Sequence, residues 1–325
     1  MRKLVFATQK LDPDDPVLAA TVPMVRALAE RVDELVVLCD TAVPGVAPAN
    51  VRVHEFGAPT QLQRGARFER ALARELRVRP LGVVAHMVPL YALLAAPLAR
   101  PRGISLVLWY THWKGHAVVH AAEKICTAVA SVDARSFPLR STKVRGIGHG
   151  IDVSEFACTE APPPPLRALA LGRYSPAKGL ETILRAAREA GVHAEAHGSD
   201  EGFEEYRRAL QREFPEAQLD GPVARTRLPE LFARSHVLVN NMRAGAPDKV
   251  VYEAAASCLP VLASNPVFDD LLPDELRFGR DDVSGLAAKL RSLDVRRRPE
   301  LRDAVVRGHS VEHWADGLLA TVTGR

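Results

Sequence analysis

Short apolar runs alternate with longer helical patterns along almost the whole of this 325-residue chain. The runs are rich in Val, Leu and Ile, and a continuous apolar run is typical of a strand that is covered on both faces. Strands that alternate with helices form βαβ units, which build a mostly parallel sheet with helices against it. The sequence therefore predicts an α/β fold of the doubly wound type.

The alternation occurs twice, once in each half of the chain. In the first half it predicts strands at Lys3–Thr8, Leu35–Leu38, Val51–Phe56, Gly82–His86, Ser105–Tyr110 and Lys143–Ile147, and helices at Pro16–Arg31 and Gln61–Arg77. In the second half it predicts strands at Arg167–Leu171, His193–His197, His236–Asn240 and Pro260–Ala263, and helices at Leu180–Ala190, Phe203–Phe214, Leu228–Arg234, Lys249–Ser257, Pro299–Gly308 and Val311–Thr321.

A Pro-rich segment, residues 161–165, separates the two halves and contains four consecutive prolines. Consecutive prolines form neither a helix nor a central strand, so they favour a stiff extended spacer. We expect two Rossmann-like domains, residues 1–160 and 166–300, that face each other across a cleft. The last two helical patterns, over residues 301–325, can pack back on the N-terminal domain.

Composition and cysteine spacing exclude several classes of protein. The formal net charge of +4 suits anionic small molecules but does not single out nucleic acid. The four cysteines are far apart, with no CxxC pair and no paired spacing with His, so we expect neither a disulfide framework nor a zinc site. The apolar runs are too short for a signal peptide or a membrane span, and we expect a cytoplasmic protein.

One predicted helix carries a stripe of arginines, at positions 64, 67, 70, 74 and 77. Such a stripe can rest on anionic lipid at the inner face of a membrane. Glu69 and Glu75 interrupt the charge, which favours a solvated helix face over peripheral membrane contact.

Two cations lie between a predicted strand and the helix that follows it. Gly172 and Arg173 come directly after the strand at 167–171, and Lys178 lies just before the helix at 180–190. Ligands of open α/β sheets bind outside the carboxyl ends of the strands. A helix N-terminus with two added cations suits a diphosphate, although arginines and lysines are also common as solvated surface charges.

A second candidate segment runs from Asp248 to Glu253, after the strand that ends at Asn240. Asp248 is predicted to be the N-cap of the next helix, which leaves the N–H groups of Lys249 and Val250 free to face an anion. Glu253 lies far enough into that helix for its carboxylate to accept hydrogen bonds from a ribose diol. The alternative is an ordinary cap and an exposed glutamate.

Two histidines end predicted strands of the first half, His86 and His112. A neutral imidazole at such a position can hydrogen-bond a sugar or an acceptor hydroxyl. The alternative for each is a structural histidine whose ring forms hydrogen bonds with the backbone of a loop.

Together the two C-terminal segments resemble the retaining nucleotide-sugar glycosyltransferases of family 4, which have the GT-B architecture. The resemblance covers Gly172-Arg173 with Lys178-Gly179, and then the run from Asp248 to Ser264. It is weaker over the first half, where His112 matches a position that often holds a histidine close to the donor sugar.

The resemblance implies a metal-independent enzyme that moves a sugar from a nucleotide-diphosphate donor to a hydroxyl acceptor with retention, without a cofactor. Arg173 and Lys178 would hold the diphosphate and stabilise its charge, with Gly172 beside them. Asp248, Lys249 and Val250 would complete the donor site, and Glu253 would hold the ribose. In the N-terminal domain, His112 would act at the reacting centre, and His86 is an expected contact of the sugar or the acceptor.

One position departs from the family pattern. The family has two glutamates eight positions apart, and Gly245 stands where the first would be. Two alternatives therefore stay open: a nucleotide-sugar-binding relative with impaired catalysis, and a nucleotide-sugar epimerase of the same architecture.

Overall fold

The computed structural model describes residues 1–15 and 18–325. Within these residues the first seven strands are β1 (Lys3–Ala7), β2 (Lys10–Leu11), β3 (Glu34–Cys39), β4 (Thr41–Ala42), β5 (Val51–Glu55), β6 (Gly82–His86) and β7 (Ser105–Trp109). The remaining strands are β8 (Ala128–Ser131), β9 (Val144–Gly146), β10 (Arg167–Leu171), β11 (His193–His197), β12 (Gln218–Asp220), β13 (Val237–Asn240) and β14 (Val261–Ala263).

The α-helices of the same residues fall between these strands or after the last of them. They are α1 (Thr21–Ala29), α2 (Gln61–Glu75), α3 (Pro89–Ala99), α4 (Ala117–Ile125), α5 (Leu180–Ala190), α6 (Glu204–Glu213), α7 (Leu228–Ala233), α8 (Lys249–Ala256), α9 (Val283–Arg291), α10 (Pro299–His309) and α11 (Val311–Thr323).

The chain divides into two compact units, residues 1–152 with 308–325 and residues 153–307. The main sheet of the first unit has the strand order β5-β3-β1-β6-β7-β8-β9, and every pair of neighbours is parallel. Because β1 is followed outward by β3 and β5 on one side and by β6 on the other, the winding direction reverses between β1 and β6. This reversal is the topological switch point of a doubly wound sheet.

Helices cover the sheet of the first unit. All five residues of β1 and of β6 are buried, as expected for central parallel strands. Helices α2 and α3 bury Phe68, Leu72 and Ala92 in the core cluster on one side. Helix α11 contacts β6, β7 and β8, so the last predicted helix belongs to the first unit.

The second unit repeats the architecture with a five-stranded parallel sheet in the order β12-β11-β10-β13-β14. Its switch point lies between β10 and β13. The α/β doubly wound prediction is therefore confirmed for both halves of the chain.

The division between the units falls earlier than the prolines. The second unit begins at Val153, where we expected a boundary at 160 and a linker over 161–165. The proline segment is fastened to the second unit, because the imidazole of His236 donates to the carbonyl of Pro162 (3.0 Å) and accepts from the N–H of Arg167 (3.1 Å). At its C-terminal end, the second unit includes most of α10.

Several predicted elements have different bounds in the structure. The helix predicted at Pro16–Arg31 is present only as α1, from Thr21, and residues 16 and 17 lie outside the described residues. Strands β2, β4 and β8 and helices α4 and α9 were not predicted. In contrast, β10, α5 and β11 have the predicted bounds.

The expectation of no disulfide is wrong for one pair of cysteines. Cys158 and Cys258 are bonded, with their Cα atoms 5.1 Å apart, although 100 residues separate them in sequence. Cys39 and Cys126 are free and buried in the first unit. Sequence spacing contains no information about a pair that only the tertiary fold brings together.

Candidate nucleotide-sugar site

The loop after β10 places Lys178 across Gly172. Gly172 has φ +131°, and a Cβ atom at this position would lie 2.7 Å from both Cε and Nζ of Lys178. The positive φ favours glycine at this position, and any other side chain would also displace the end of the lysine. The backbone is crowded on the other side too, because a Cβ on Gly198 would lie 1.9 Å from the carbonyl oxygen of Gly172.

The ammonium group of Lys178 contacts the carboxylate of Asp248. The same carboxylate oxygen accepts a hydrogen bond of 2.8 Å from the side-chain amide of Asn240, which ends β13. Both ionic side chains are largely buried, with exposed fractions of 16% and 19%. The two predicted segments thus meet at the switch point between β10 and β13, where doubly wound folds bind ligands.

Arg173 is a cation of this site that is available to bind an anion. Its side chain is exposed, and among residues 1–15 and 18–325 it has no hydrogen bond or ion pair. It directly follows Gly172 at the carboxyl end of β10. An unpaired guanidinium can take an anion here without first breaking an ion pair.

Helix α8 begins at Lys249, as predicted, but Asp248 does not cap it in the predicted way. Asp248 has the extended backbone of an N-cap, yet its side chain makes no capping hydrogen bond because it is paired with Lys178. The N–H groups of Lys249 and Val250 have no partner in the described part of the chain. These donors and the helix dipole favour an anion at this end of α8.

Glu253 is buried rather than exposed, and Arg225 neutralises it. The carboxylate contacts the guanidinium through Oε1, and its side chain is only 5% exposed. Arg225 also donates to Glu155 at 2.6 Å, so it joins two acidic side chains. Oε2 of Glu253 accepts no hydrogen bond within the described residues, which leaves one carboxylate oxygen for a ligand.

Lys249 lies in the same charge cluster. Burial lowers the pKa of its ammonium group to about 8, with the charge of Glu253 opposing the shift and that of Arg225 adding to it. A cation whose charge changes near neutral pH, beside a free helix N-terminus, is typical of a functional site. The sequence indicated Lys249 only through its backbone N–H, and no motif pointed to Arg225.

The loop before α8 has a conformation that suits glycine. Gly245 has φ +81°, and its N–H donates to Oδ1 of Asn265 at 3.3 Å. The side-chain amide of Asn265 also donates to the carbonyls of Arg243 (3.0 Å) and Ala246 (2.8 Å). The position that departs from the family pattern is therefore a left-handed residue in a fastened loop.

The two candidate histidines of the first unit differ in accessibility. His86 is 4% exposed and its Nδ1 lies 3.0 Å from the hydroxyl of Thr8, so it is a buried, partnered residue. His112 is exposed, stacks on Trp113 and accepts a hydrogen bond from the N–H of Lys114 at 2.9 Å. Partial burial lowers the pKa of His112, which favours the neutral imidazole at neutral pH.

Three potential metal ligands on β11 and β12 lie close together, a cluster that the sequence did not predict. The ligand atoms of Glu195, His197 and Asp220 lie within 4.8 Å of one another. Glu195 already contacts Arg234 as well as His197 (2.5 Å), both through Oε1. A guanidinium on the central carboxylate opposes a metal ion there, and the cluster fits better as a buried ion-pair network.

Comparisons with known proteins address the fold. Neither the scan against protein-family models nor the search of curated proteins found a match. Among solved structures, the sucrose-phosphate synthase of Thermosynechococcus elongatus has a TM-score of 0.74 and 16% identity, over 98% of this chain and 97% of that one. A variant of TarM from S. aureus, in complex with UDP among other ligands, has a TM-score of 0.69 and 9% identity, over 99% and 100%.

A third similar structure comes from Listeria monocytogenes and is assigned as a UDP-N-acetylglucosamine 2-epimerase. It has a TM-score of 0.59 and 13% identity, over 99% of this chain and 96% of that one. Together the similarities show that the chain has the two-domain Rossmann-like fold of GT-B glycosyltransferases. No helix of the described residues is long and apolar enough to cross a membrane.

Proposed function

We propose that this protein is a glycosyltransferase that moves a sugar from a nucleotide-diphosphate donor to a hydroxyl acceptor. The observation that supports this most directly is the arrangement at the switch point of the second unit. There Lys178 contacts Asp248 at the start of α8, and Arg173 lies directly after β10, at the carboxyl ends of β10 and β13. A diphosphate is the ligand that such an anion site suits.

Each of these groups would bind a particular part of the donor. Arg173 and the N–H groups of Lys249 and Val250 take the diphosphate, and Lys178 joins them by exchanging its contact with Asp248 for one with phosphate. Glu253 accepts from the ribose hydroxyls through its unpaired oxygen, while Arg225 stays in contact with the other oxygen.

The chemical step requires stabilisation of charge as the sugar–phosphate bond breaks. The cations and the helix N-terminus supply it, so we propose that transfer needs no metal. By the family resemblance we also propose retention of anomeric configuration, with His112 as the candidate group beside the reacting centre. Its lowered pKa keeps the ring neutral and able to hydrogen-bond a hydroxyl.

A thermal-shift titration with UDP, GDP and ADP, and with their sugars, tests the donor site. We expect one nucleotide family to raise the unfolding midpoint, with EDTA present or absent, and Arg173→Ala to abolish the shift. Arg185→Ala is the matched control, because that arginine lies on the surface of α5 and pairs with Glu181 and Glu213. Equal shifts in wild type and Arg173→Ala would contradict the phosphate site.

Two other functions have an observation in their favour. The epimerase fold neighbour supports an enzyme that inverts a centre of the nucleotide sugar without any acceptor, and release of a 2-epimer from UDP-N-acetylglucosamine would identify it. The glycine at position 245 supports a binding protein with impaired catalysis. Donor binding without transfer to any acceptor and without donor hydrolysis would identify that case.

A further inference from the structure

We infer that a cavity in the first unit binds the acceptor, and that the acceptor group it takes is a hydroxyl on a compact apolar ring. The inference rests on the proposed transferase function, which did not name an acceptor class. The cavity has a volume of about 170 Å³, similar to an apolar cavity that binds benzene, so it has room for one compact ring.

The cavity lies where a doubly wound sheet binds ligands. Gln9 follows β1, Asp40 follows β3, Phe56 follows β5 and Val88 lies just after β6, and all four line it. These strands flank the switch point between β1 and β6 at their carboxyl ends.

Most of the wall is apolar. Phe56, Phe68 and Tyr91 pack on one another, with ring centroids 5.4 to 5.5 Å apart. Leu90 and Leu94 complete this surface, and Leu90 is 46% exposed. A polyhydroxylated sugar would leave hydroxyls unpaired against such a wall, whereas a ring with apolar faces would bury them favourably.

The polar end of the cavity has two groups without a hydrogen-bond partner among the described residues. Tyr91 is 8% exposed, and its hydroxyl makes no hydrogen bond to a described residue. Oδ1 of Asp40 is buried without a partner as well, while Oδ2 accepts from Arg64 at 3.2 Å. Burial and the nearby carboxylate of Asp40 raise the pKa of Tyr91, so its hydroxyl stays a donor at neutral pH.

One hydroxyl satisfies both groups at once, because it donates one hydrogen bond and accepts others. It would donate to Oδ1 of Asp40 and accept from the hydroxyl of Tyr91. Arg64 already neutralises Asp40, so the site has no net charge that would select an ammonium or a carboxylate. The same carboxylate would polarise the bound O–H, the bond that an acceptor must break.

Ligand-observed NMR titration of the full chain tests the inference with three probes: 4-ethylphenol, 4-ethylanisole and methyl α-glucoside. The phenol should bind about tenfold more tightly than its methyl ether, because the ether cannot donate to Asp40. Methyl α-glucoside should bind more weakly still. Equal binding of phenol and ether, or preferred binding of the glucoside, would overturn the inference.

Two variants locate the probe. Tyr91→Phe removes only the hydroxyl and should weaken phenol binding about fivefold. Gly65→Leu should abolish it, because a Cβ on Gly65 meets only one atom within 4 Å, Cδ1 of Leu94 at 3.9 Å, and the longer side chain then fills the cavity. Tyr110→Phe is the matched control, since that tyrosine lies in the same unit outside the cavity, and it should bind like wild type. Identical affinities of the Tyr91 and Tyr110 variants would refute the assignment.

The nucleotide titration separates this inference from the proposed function. Phenol binding without stabilisation by any nucleotide would refute the transferase and leave the cavity assignment standing as a binding site. Nucleotide stabilisation without phenol binding would refute only the acceptor class.

Discussion

The ammonium group of Lys178 contacts the carboxylate of Asp248 across the switch point of the second unit. The pair joins the loop after β10 to the start of α8, and it holds Lys178 against Gly172. In the proposed complex a diphosphate would compete with Asp248 for this lysine. The strength of donor binding would then depend on how easily Asp248 releases it.

Asp248→Asn should therefore tighten binding of a nucleoside diphosphate, whereas Lys178→Ala should weaken it. Removing the competing charge of a partly buried pair corresponds to about fivefold in affinity. Calorimetric titration with UDP, GDP or ADP measures both variants. Weaker binding by Asp248→Asn would show that the carboxylate helps the donor site and does not compete for the lysine.

Loss of Arg225 should destabilise the second unit. Arg225→Ala leaves the buried carboxylate of Glu253 without its hydrogen-bonded cation, at a cost of about 3 kcal/mol in the free energy of unfolding. Arg225→Ala/Glu253→Ala should recover part of this loss, because neither charge then stays buried alone. Chemical denaturation of the wild type, Arg225→Ala and the double variant measures the three free energies of unfolding. A double variant less stable than Arg225→Ala would contradict the pairing.

Donor binding should weaken as the pH rises through about 8, the pKa of Lys249 in the folded protein. Below that pH the side chain is a cation beside the N-terminus of α8, and above it the charge that attracts a diphosphate is lost. The affinity should fall by about tenfold from pH 7 to pH 9. Lys249→Met should bind more weakly at pH 7 and lose this pH dependence, while an unchanged slope would exclude Lys249 as its source.

Much of the second unit could be predicted because its signals are local. Strand β10 is a short apolar run, α5 is bounded by Gly179 and Gly191, and β11 follows directly. The positions of the glycines and the hydrophobic periodicity therefore determine the bounds of all three elements. Strand β8 is only four residues long and half alanine, and α9 contains a glycine in its first turn, so neither element gives a strong local signal and both were missed.

The chemistry of the site was only partly predictable. Gly172, Arg173 and Lys178 are close in sequence, and the strand-loop-helix pattern places them together. Arg225 lies 28 residues from Glu253, and no spacing rule links an arginine after β12 to a glutamate in α8. Separation in sequence also explains why the cavity beside Tyr91 in the first unit was not predicted, since its walls come from four separate strand ends and two helices.

The disulfide between Cys158 and Cys258 should be detectable by thiol counting. The native protein should be unreactive toward a thiol reagent, because burial raises the pKa of both free cysteines, Cys39 and Cys126, to about 12. The denatured, unreduced protein should show those two thiols only. Cys158→Ser should lower the free energy of unfolding by about 3 kcal/mol, and reductant should not lower it further. Four reactive thiols after denaturation without reductant would contradict the bond.

Substitution of Gly245 tests whether the loop requires a glycine for its conformation or has lost a glutamate that catalysis needs. With φ at +81°, Gly245→Ala should cost about 1 kcal/mol, and Gly245→Glu should cost at least as much. Gly221→Ala is the control, because that glycine has open space around its Cβ position and no positive φ. We expect Gly245→Glu to be less stable and no faster in sugar transfer, since a side chain at this positive φ strains a loop that Asn265 holds in place. A gain in transfer by Gly245→Glu, measured with the nucleotide sugar that stabilises the wild type, would show instead that the loop rearranges and that a glutamate here completes the site.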